Sequence, residues 1–551
     1  MASRITPDYV RTAIDRTQAR SVVMSTGGIA ASEHPLASQA GASILANGGH
    51  AVDAAIAVNA VMNVVAPMSN GIGGDLFAIV YDAPTGTLHG INGSGSAPAA
   101  LTIDSLQAQG ITSMPQSGIL PVTVPGAVAA WSKLHGRFGR RAFGDLLSPA
   151  IRIAEDGFPV PEIVAAEWGG SEGILRTNAE ASRVYMPKGR PPQVGEIFRN
   201  PDLAATYRTL AARGRDAFYR GEIAQRIASC AARLQGALSA ADLAACDAEW
   251  VTPLSTTYRG WTVHELPPNG QGLAALVMLN LIEHAPIGSY GHNSVEALHT
   301  IIEAKKLAYA DLQRHVCDPA FHEIPQARLI SKAYAAQRVR DIDSARANPA
   351  ASPGTLSTHG GDTVYLSVVD RAGSVVSLIQ SNFANFGSGV VPEGTGFALQ
   401  NRGGMFTLDP AHPNALAPRK RPLHTIIPGF MMSPGQRHVA FGIMGGWNQA
   451  QAHVQFISNV VDHGMNIQAA LEAARVTKLT FTGQDVVMES RVPDSVRLGL
   501  TAKGHEIDLQ GSFSSLVGGG QSVARDNDTG VNFGASDPRK DGAAVPEPVL
   551  S

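Results

Sequence analysis

The stretch HGGDTVYLSVVD, residues 359–370, joins two glycines and an aspartate to an alternating apolar segment that begins at Thr363. The turn RAG and the segment SVVSLIQSN follow at once. Alternation on both sides of a short turn predicts a β-hairpin. Upstream, residues 341–361 have no hydrophobic periodicity and are rich in Ala, Ser, Pro and Gly, which predicts an exposed linker. Thr363 therefore stands where a linker enters a sheet.

Two interpretations of Thr363 are open. Threonine favours strands, so its position alone needs no chemistry. Its hydroxyl is a poor nucleophile unless a base lies beside it. A cut between Asp362 and Thr363 would supply that base, because a free α-amine has a pKa of about 7.7–8.0. Gly360 and Gly361 would let the chain bend so that the hydroxyl can attack the carbonyl of Asp362.

The composition of the 551-residue chain is that of an ordinary globular protein, with 44% hydrophobic and 16% charged residues. Lys+Arg is 43 and Asp+Glu is 46, a balance that predicts neither a nucleic-acid partner nor an anionic membrane. Three scattered cysteines, Cys230, Cys246 and Cys317, argue against a disulfide framework and a cysteine-based zinc site. No secretory signal and no membrane-spanning apolar run is evident. We expect a cytoplasmic protein.

Other motifs are less specific. GIGGD (71–75) lacks the GK[ST] of a phosphate-binding loop and favours a structural turn. The His-Glu pairs that begin at residues 264, 322 and 505 do not continue as H-E-x-x-H, and no G-x-S-x-G occurs. GIMGG (442–446) lies between a predicted strand and a predicted helix, where backbone N–H groups can hold an oxyanion, although plain turns of this kind are more common. We expect no metal and no cofactor.

The chain resembles the γ-glutamyltransferase family of N-terminal nucleophile hydrolases from about residue 22 to about residue 530. The matching segments occur in the family's order: ASEHPLASQAGASILANGGHAVDAAIAV, NGIGGDLFAIVYD, VPGAVAAW, PAIRIAEDGFPV, PPNGQGLAALVMLNLIE, the EAKKLAYAD helix, TVYLSVVD, KRPLHTIIP and GIMGG. The resemblance implies an α+β fold, the four-layer αββα sandwich. It also implies self-cleavage into a large subunit, 1–362, and a small subunit, 363–551, which form a heterodimer; whether two heterodimers associate is left open.

The resemblance assigns catalytic roles to four residues. Thr363 matches the nucleophile that the cut after Asp362 would free. Ser381 falls where the family has a threonine that supports the nucleophile, and a serine keeps the hydroxyl. Gly445 and Gly446 match the glycine pair of the oxyanion hole. Their N–H groups would stabilise the tetrahedral intermediate.

The residues at the substrate-binding positions depart from the family pattern. Ser94 stands where typical members have an arginine for the α-carboxylate, and Met405 where they have an aspartate for the α-amine. The pair His424-Thr425 replaces two serines. Phe383 replaces an asparagine, a loss for which Asn382 can substitute. We expect these losses to redirect specificity away from the γ-glutamyl head.

Arg402, Asn401 and His424 lie in segments that surround the pocket in the family. Arg402 could pair bidentately with a substrate carboxylate, or form an ion pair at the surface or between subunits. The pattern of these pocket segments resembles the divergent branch of the family that includes cephalosporin acylases, glutaryl acylases and oxamate amidohydrolases. We therefore expect an amidohydrolase for a small carboxylate-bearing amide, such as an oxamate-like compound or a dicarboxylate monoamide. The alternatives are a γ-glutamyltransferase or glutathione hydrolase, a glutaryl or cephalosporin acylase, and a silent binding protein.

Overall fold

The computed structural model describes residues 18–349, 362–433 and 437–549. Within these residues the chain forms 19 strands: β1 (Val23–Ser25), β2 (Ile29–Ser32), β3 (Asp75–Asp82), β4 (Thr87–Gly93), β5 (Phe158–Pro159), β6 (Ile197–Phe198), β7 (Glu249–Val251), β8 (Leu254–Tyr258), β9 (Trp261–Glu265), β10 (Asp362–Val369), β11 (Val375–Phe383), β12 (Gly429–Met432), β13 (Arg437–Ile443), β14 (Val476–Thr477), β15 (Asp485–Glu489), β16 (Glu506–Gln510), β17 (Gly520–Asp526), β18 (Asn532–Ser536) and β19 (Ala543–Pro546).

The described residues also form 20 α-helices: α1 (Pro35–Ala46), α2 (Ala51–Val65), α3 (Ile103–Gln107), α4 (Ala127–Phe138), α5 (Phe143–Asp156), α6 (Glu162–Gly169), α7 (Glu172–Leu175), α8 (Ala179–Tyr185), α9 (Pro201–Arg213), α10 (Arg215–Tyr219), α11 (Glu222–Arg233), α12 (Ala240–Ala244), α13 (Gly272–Ile282), α14 (Ile287–Tyr290), α15 (Val295–His315), α16 (Gln326–Leu329), α17 (Lys332–Arg338), α18 (Gln449–Val461), α19 (Ile467–Glu472) and α20 (Asp494–Ala502). Short 3₁₀ turns cover Arg402–Met405 and Gly446–Asn448.

Two seven-stranded antiparallel sheets form the centre of the molecule. Sheet I has the order β19-β2-β10-β11-β3-β4-β7, and sheet II has the order β1-β18-β17-β13-β12-β9-β8. Buried side chains between the two sheets include Tyr365 and Ile379 from sheet I and Phe430 and Ala440 from sheet II. Period-2 alternation sends every second side chain of each strand into this interface.

Helices cover the outer face of each sheet. Sheet I packs against α1, α2 and α4, and sheet II packs against α13, α18 and α19; α5 lies on α2, and α15 lies on α13. All fifteen residues of α2 are buried, because its small Ala and Val side chains let it pack closely on sheet I. The layers are therefore helix, sheet, sheet and helix, which confirms the αββα sandwich and the α+β class expected from the sequence.

The hairpin predicted from TVYLSVVD and SVVSLIQSN is β10 and β11. These strands pair from Asp362↔Phe383 to Val369↔Val375, with a register shift between Asp362 and Val364. The predicted linker 341–361 is described only as far as residue 349. Residues 342–349 contain no helix or strand and are mostly exposed, although Ala347 is buried. The rest of that segment lies outside the described residues.

Candidate active site

Thr363 lies at the buried start of β10, with 1% of its surface exposed. Its hydroxyl donates to Ser381 Oγ at 3.2 Å. Ser381 Oγ also accepts hydrogen bonds from the N–H of Phe383 at 2.8 Å and from Arg402 Nη2 at 3.3 Å. Both hydroxyls lie near the end of the hairpin, on the side of sheet I that faces sheet II. The hairpin thus brings together two residues that are 18 positions apart in the chain.

Arg402 is fully buried next to these hydroxyls. Its Nη1 donates to Thr425 Oγ1 at 2.8 Å, and its guanidinium carbon lies 4.4 Å from the centre of the Phe383 ring. Among the side chains that the structure describes, which do not include that of Asp362, no carboxylate lies within 4.0 Å of the guanidinium nitrogens, and Arg402 Nε has no hydrogen-bond partner. Burial lowers the pKa of Arg402 to about 9, an effect that the negative charge of Asp75 opposes. The group is therefore a charged, incompletely satisfied donor at neutral pH. The alternative of a surface ion pair is wrong.

His424 is a neutral imidazole in this site. Its Nδ1 accepts from the N–H of Ile426 at 3.3 Å, so Nε2 carries the proton and donates to Asp75 Oδ2 at 3.1 Å. Burial, and secondarily the charge of Arg402, lower the pKa of His424 to about 4, although the hydrogen bond to Asp75 acts in the other direction. His424 also packs against Phe77, with 4.8 Å between ring centres.

Asp75 is the residue of this site that the sequence did not single out. Besides His424, its carboxylate accepts from the N–H groups of Gly95 and Gly126 and from Gln400 Nε2, at 2.9–3.1 Å. The GIGGD segment was interpreted as a structural turn, and its glycines do allow close approach: a side chain at Gly74 would overlap with the carbonyl of Ser381. One feature of the sequence could have indicated Asp75: it is an acidic residue directly after these glycines, at the start of a buried strand.

The GIMGG segment ends β13 and begins the turn before α18. Gly445 and Gly446 have positive φ values of 119° and 58°, conformations that favour glycine. Neither of their N–H groups donates a hydrogen bond to another described residue. Gln271 Nε2 donates to the carbonyl of Gly446 at 2.8 Å, and this hydrogen bond stabilises the turn. Two backbone N–H groups without an acceptor among the described residues thus lie side by side after β13.

Ser94 and Met405 are both buried, and neither offers an ionic group. The Ser94 hydroxyl donates to Asn92 Oδ1 at 2.7 Å and accepts from Asn269 Nδ2 at 3.2 Å. Asn269 Nδ2 also donates to the carbonyl of Pro422 at 2.7 Å. The Ser94 hydroxyl therefore has its hydrogen bonds within the protein. A contact between Ser94 and the substrate stays a prediction.

The two asparagines expected to contact substrate lie differently from Arg402. Asn382 follows Ser381 in β11, so its side chain points to the opposite face of sheet I, where it contacts Gly71. Both of its amide atoms are buried without a partner among the described residues. Asn401 accepts from the N–H of Ala384 at 3.1 Å and donates to the carbonyl of Gln116 at 2.7 Å. It connects two loops, and a substrate contact for either residue stays a prediction.

One group of potential metal ligands occurs elsewhere in the described chain. His299, Glu303 and His505 place ligand atoms within 4.8 Å of one another. However, the Lys306 ammonium lies 2.7 Å from Glu303 and already neutralises it. Lys306 and Glu303 also bind the backbone C=O and N–H of Asn348, at 3.0 and 3.1 Å. We interpret the group as an anchor for the chain that precedes the linker.

Comparisons with known proteins place these features in a family. The family model described as Gamma-glutamyltranspeptidase matches residues 37–547. The chain is 36% identical over 527 residues to the glutathione hydrolase-like YwrD proenzyme of Bacillus subtilis (strain 168), covering 95% of this chain and 99% of that protein. It is 34% identical over 532 residues to the oxamate amidohydrolase proenzyme of Klebsiella pneumoniae, with 95% and 99% covered.

Among solved structures, the chain is similar to a cephalosporin acylase from Bacillus halodurans. The TM-score is 0.91 at 42% sequence identity, and the likeness covers 96% of this chain and 98% of that chain. In the described part of this chain, no helix is both long and apolar enough to cross a bilayer.

Proposed function

The chain belongs to the γ-glutamyltranspeptidase family, and from this premise we propose that it is a self-processing amidohydrolase with Thr363 as nucleophile. Its substrate is a small amide that carries a carboxylate. The observation that carries the proposal is the buried contact between the Thr363 and Ser381 hydroxyls, with the Arg402 guanidinium on the same Ser381 oxygen. A nucleophile and a binding group for an anion thus share one small buried site.

Processing begins with attack by the Thr363 hydroxyl on the carbonyl carbon of Asp362. The C–N bond of that peptide breaks, an ester forms between Asp362 and the Thr363 oxygen, and the nitrogen gains a proton to become the α-amine of Thr363. Water then hydrolyses the ester. The products are a large subunit, 1–362, and a small subunit, 363–551, which we propose stay together because both contribute strands to sheet I. The names of several relatives contain the word proenzyme, which supports this step.

Turnover uses the same hydroxyl with the new α-amine as its base. The amine takes the hydroxyl proton as the oxygen attacks the substrate carbonyl, and it passes that proton to the leaving amine. The N–H groups of Gly445 and Gly446 stabilise the oxyanion. Water resolves the acyl-enzyme by the reverse proton route. The positive charge of Arg402, two hydrogen bonds away, favours the neutral form of the α-amine and so keeps it available as a base.

The substrate class follows from the charges around Thr363. Arg402 is a buried guanidinium whose Nε–H has no partner, and no carboxylate among the side chains that the structure describes pairs with it, which suits a substrate carboxylate. Met405 provides no acceptor for an α-amine, and Ser94 is occupied by two asparagines. Asp75 is a candidate acceptor for a cation, but it already accepts four hydrogen bonds. An acid monoamide without an α-amino group fits these charges.

A second candidate is hydrolysis of γ-glutamyl compounds. It is favoured by the glutathione hydrolase-like name of the Bacillus subtilis relative, which covers nearly the whole chain. Because Met405 has no acceptor for an ammonium group, this candidate requires that another residue bind the α-amine of the substrate.

A substrate panel distinguishes the two candidates. The cleaved enzyme is assayed with oxamate, a glutaryl amide, glutathione and γ-glutamyl-p-nitroanilide, and kcat/KM is compared. We expect higher kcat/KM for the compounds without an α-amino group. Higher kcat/KM for the γ-glutamyl compounds would replace the first candidate by the second, and no turnover of any compound would contradict both.

A further inference from the structure

The two edges of β10 are hydrogen-bonded differently near Thr363. On one edge, β11 pairs with β10 as far as Asp362. On the other edge, the pairing with β2 covers only Ser367 to Val369. Ahead of that ladder, the N–H of Tyr365 donates to Glu33 Oε1 at 2.8 Å. A carboxylate therefore replaces a strand carbonyl two residues after the proposed nucleophile, and hydrogen bonds to ionised acceptors are the stronger kind.

Glu33 also connects to the loop beside the glycine pair. Lys540 Nζ lies 3.9 Å from Glu33 Oε2. The stem of Lys540 packs against Gly519, where an added Cβ would overlap with it. The carbonyl of Gly519 accepts from the N–H of Met444 at 3.0 Å, and Met444 directly precedes Gly445. A continuous set of contacts thus runs from β10 to the proposed oxyanion donors.

The pair is buried and its surroundings are well fixed. The side chains of Glu33 and Lys540 are each 4% exposed. Lys540 Nζ also donates to Glu167 Oε1 at 2.5 Å, a closer contact than the one with Glu33, and this hydrogen bond holds the ammonium in place beside Glu33. The loop that carries Lys540 is held by Asp537, whose carboxylate accepts from the N–H of Gly520 at 3.2 Å. Buried ion pairs contribute little to stability after their desolvation, so stability alone does not account for this one.

We propose that Glu33 and Lys540 form an ionic bridge that positions the strand of Thr363 relative to the loop of Gly445 and Gly446. The inference rests on the proposed function, in which these two parts must act on one carbonyl group. A misplacement of about 1 Å between reacting groups can lower a rate ~10²-fold. Glu33 lies on the β2 side of β10, whereas Arg402 contacts the β11 side. The bridge therefore affects the rate of acyl transfer and not the affinity for the substrate.

The test uses variants that remove the charges and keep the shape. Glu33→Gln keeps an acceptor for Tyr365, and Lys540→Met keeps the apolar stem. We expect each to lower kcat by about tenfold while KM stays within about twofold of wild type. The double variant should resemble either single variant, because all three break the same bridge. Lys540→Arg keeps the charge and should retain at least about half of the wild-type kcat.

The matched control is Glu196→Gln. Glu196 also accepts a backbone N–H, that of Gln193 at 2.9 Å, and also pairs with cations, Lys188 and Arg190, but it lies outside both sheets. Its kcat should equal that of the wild type. Thermal unfolding of each variant verifies that it is folded. If one of the two single variants fails to fold, the inference is judged from kcat and KM of the other single variant and of Lys540→Arg.

The order of measurement separates this inference from the proposed function. Cleavage and turnover of the wild type are measured first, and a wild type that is neither cut nor active contradicts the proposed function. With an active wild type, three results contradict the bridge: unchanged kcat in Glu33→Gln and Lys540→Met, effects that multiply in the double variant, or a change in KM alone.

Discussion

At the scale of single residues, Arg402 is a buried positive charge beside the proposed nucleophile. It brings a positive charge to Ser381 and Thr425, and its burial makes that charge costly unless a partner compensates it. The negative charge of Asp75 acts on Arg402, and the Asp75 carboxylate accepts hydrogen bonds from His424 and two backbone N–H groups. A substrate carboxylate would complete the pairing of Arg402.

Replacing Arg402 by methionine should weaken the use of carboxylate-bearing amides. We expect kcat/KM to fall by about 10–100-fold, the range for loss of a hydrogen bond to a charged group. The control is the same amide with its carboxylate converted to a methyl ester, for which Arg402→Met should lower kcat/KM much less than it does for the acid, because only the contact with the substrate carboxylate is specific to the acid. An equal fall in kcat/KM for the acid and the ester would show that Arg402 positions the catalytic groups and does not bind the substrate carboxylate.

At the scale of elements, the contact between β10 and β13 determines how close the two proposed catalytic parts can be. Gly442 of β13 lies against the ring of Tyr365 of β10, and an added Cβ would overlap with that ring. Tyr365 is fully buried and cannot move aside at low cost. The absence of a side chain at position 442 therefore brings the end of β13 next to the start of β10.

Gly442→Ala should destabilise the protein by about 1–3 kcal/mol, the usual range for overpacking a core, and should lower kcat because β13 is displaced. Urea unfolding and steady-state kinetics measure the two effects. Gly136→Ala is the control, since its added Cβ meets no atom and lies in helix α4, where alanine should be neutral or stabilising. A Gly442→Ala variant with the unfolding midpoint and kcat of the wild type would contradict the close contact.

At the scale of the whole molecule, several buried histidines make the folded state sensitive to acid. Burial lowers the pKa of His34, His424 and His438 to about 4 and that of His505 to about 3. The unfolded chain binds protons on these residues near pH 6.5, whereas the folded chain does not until about pH 4. Stability is thus fully present above pH 6.5 and declines as the pH falls towards 4.

One histidine can be tested separately. His438 packs against Tyr81, with 4.1 Å between ring centres, and a phenylalanine can occupy its place. Between pH 6.5 and 5, the wild type should lose up to about 2 kcal/mol more stability than His438→Phe, because only the wild type must keep this imidazole neutral. Denaturant unfolding at the two pH values measures the difference. Identical pH dependence in both proteins would mean that folding does not lower the pKa of His438, which would contradict this account.

The αββα architecture and the pairing of Thr363 with Ser381 were implied by the family resemblance, whereas the hairpin of β10 and β11 could be anticipated from alternation on both sides of a short turn. The role of Asp75 could not, since its partner His424 is 349 residues away and only the packing of the two sheets brings them together. Asn382 points to the face of sheet I opposite that of Ser381 because one residue along a strand reverses the face of the sheet, and its contact with a substrate stays a prediction. The expected cytoplasmic location stays a prediction.

The central claim is that Thr363 becomes the N-terminus of a second chain and then acts as the nucleophile. Intact-mass spectrometry of the purified wild type, read together with turnover, tests it most directly. We predict two polypeptides, one ending at Asp362 and one beginning at Thr363, and a single inactive chain of 57.6 kDa for Thr363→Ala. An active wild type that is uncut, or a Thr363→Ala variant that still turns over substrate, would contradict the claim.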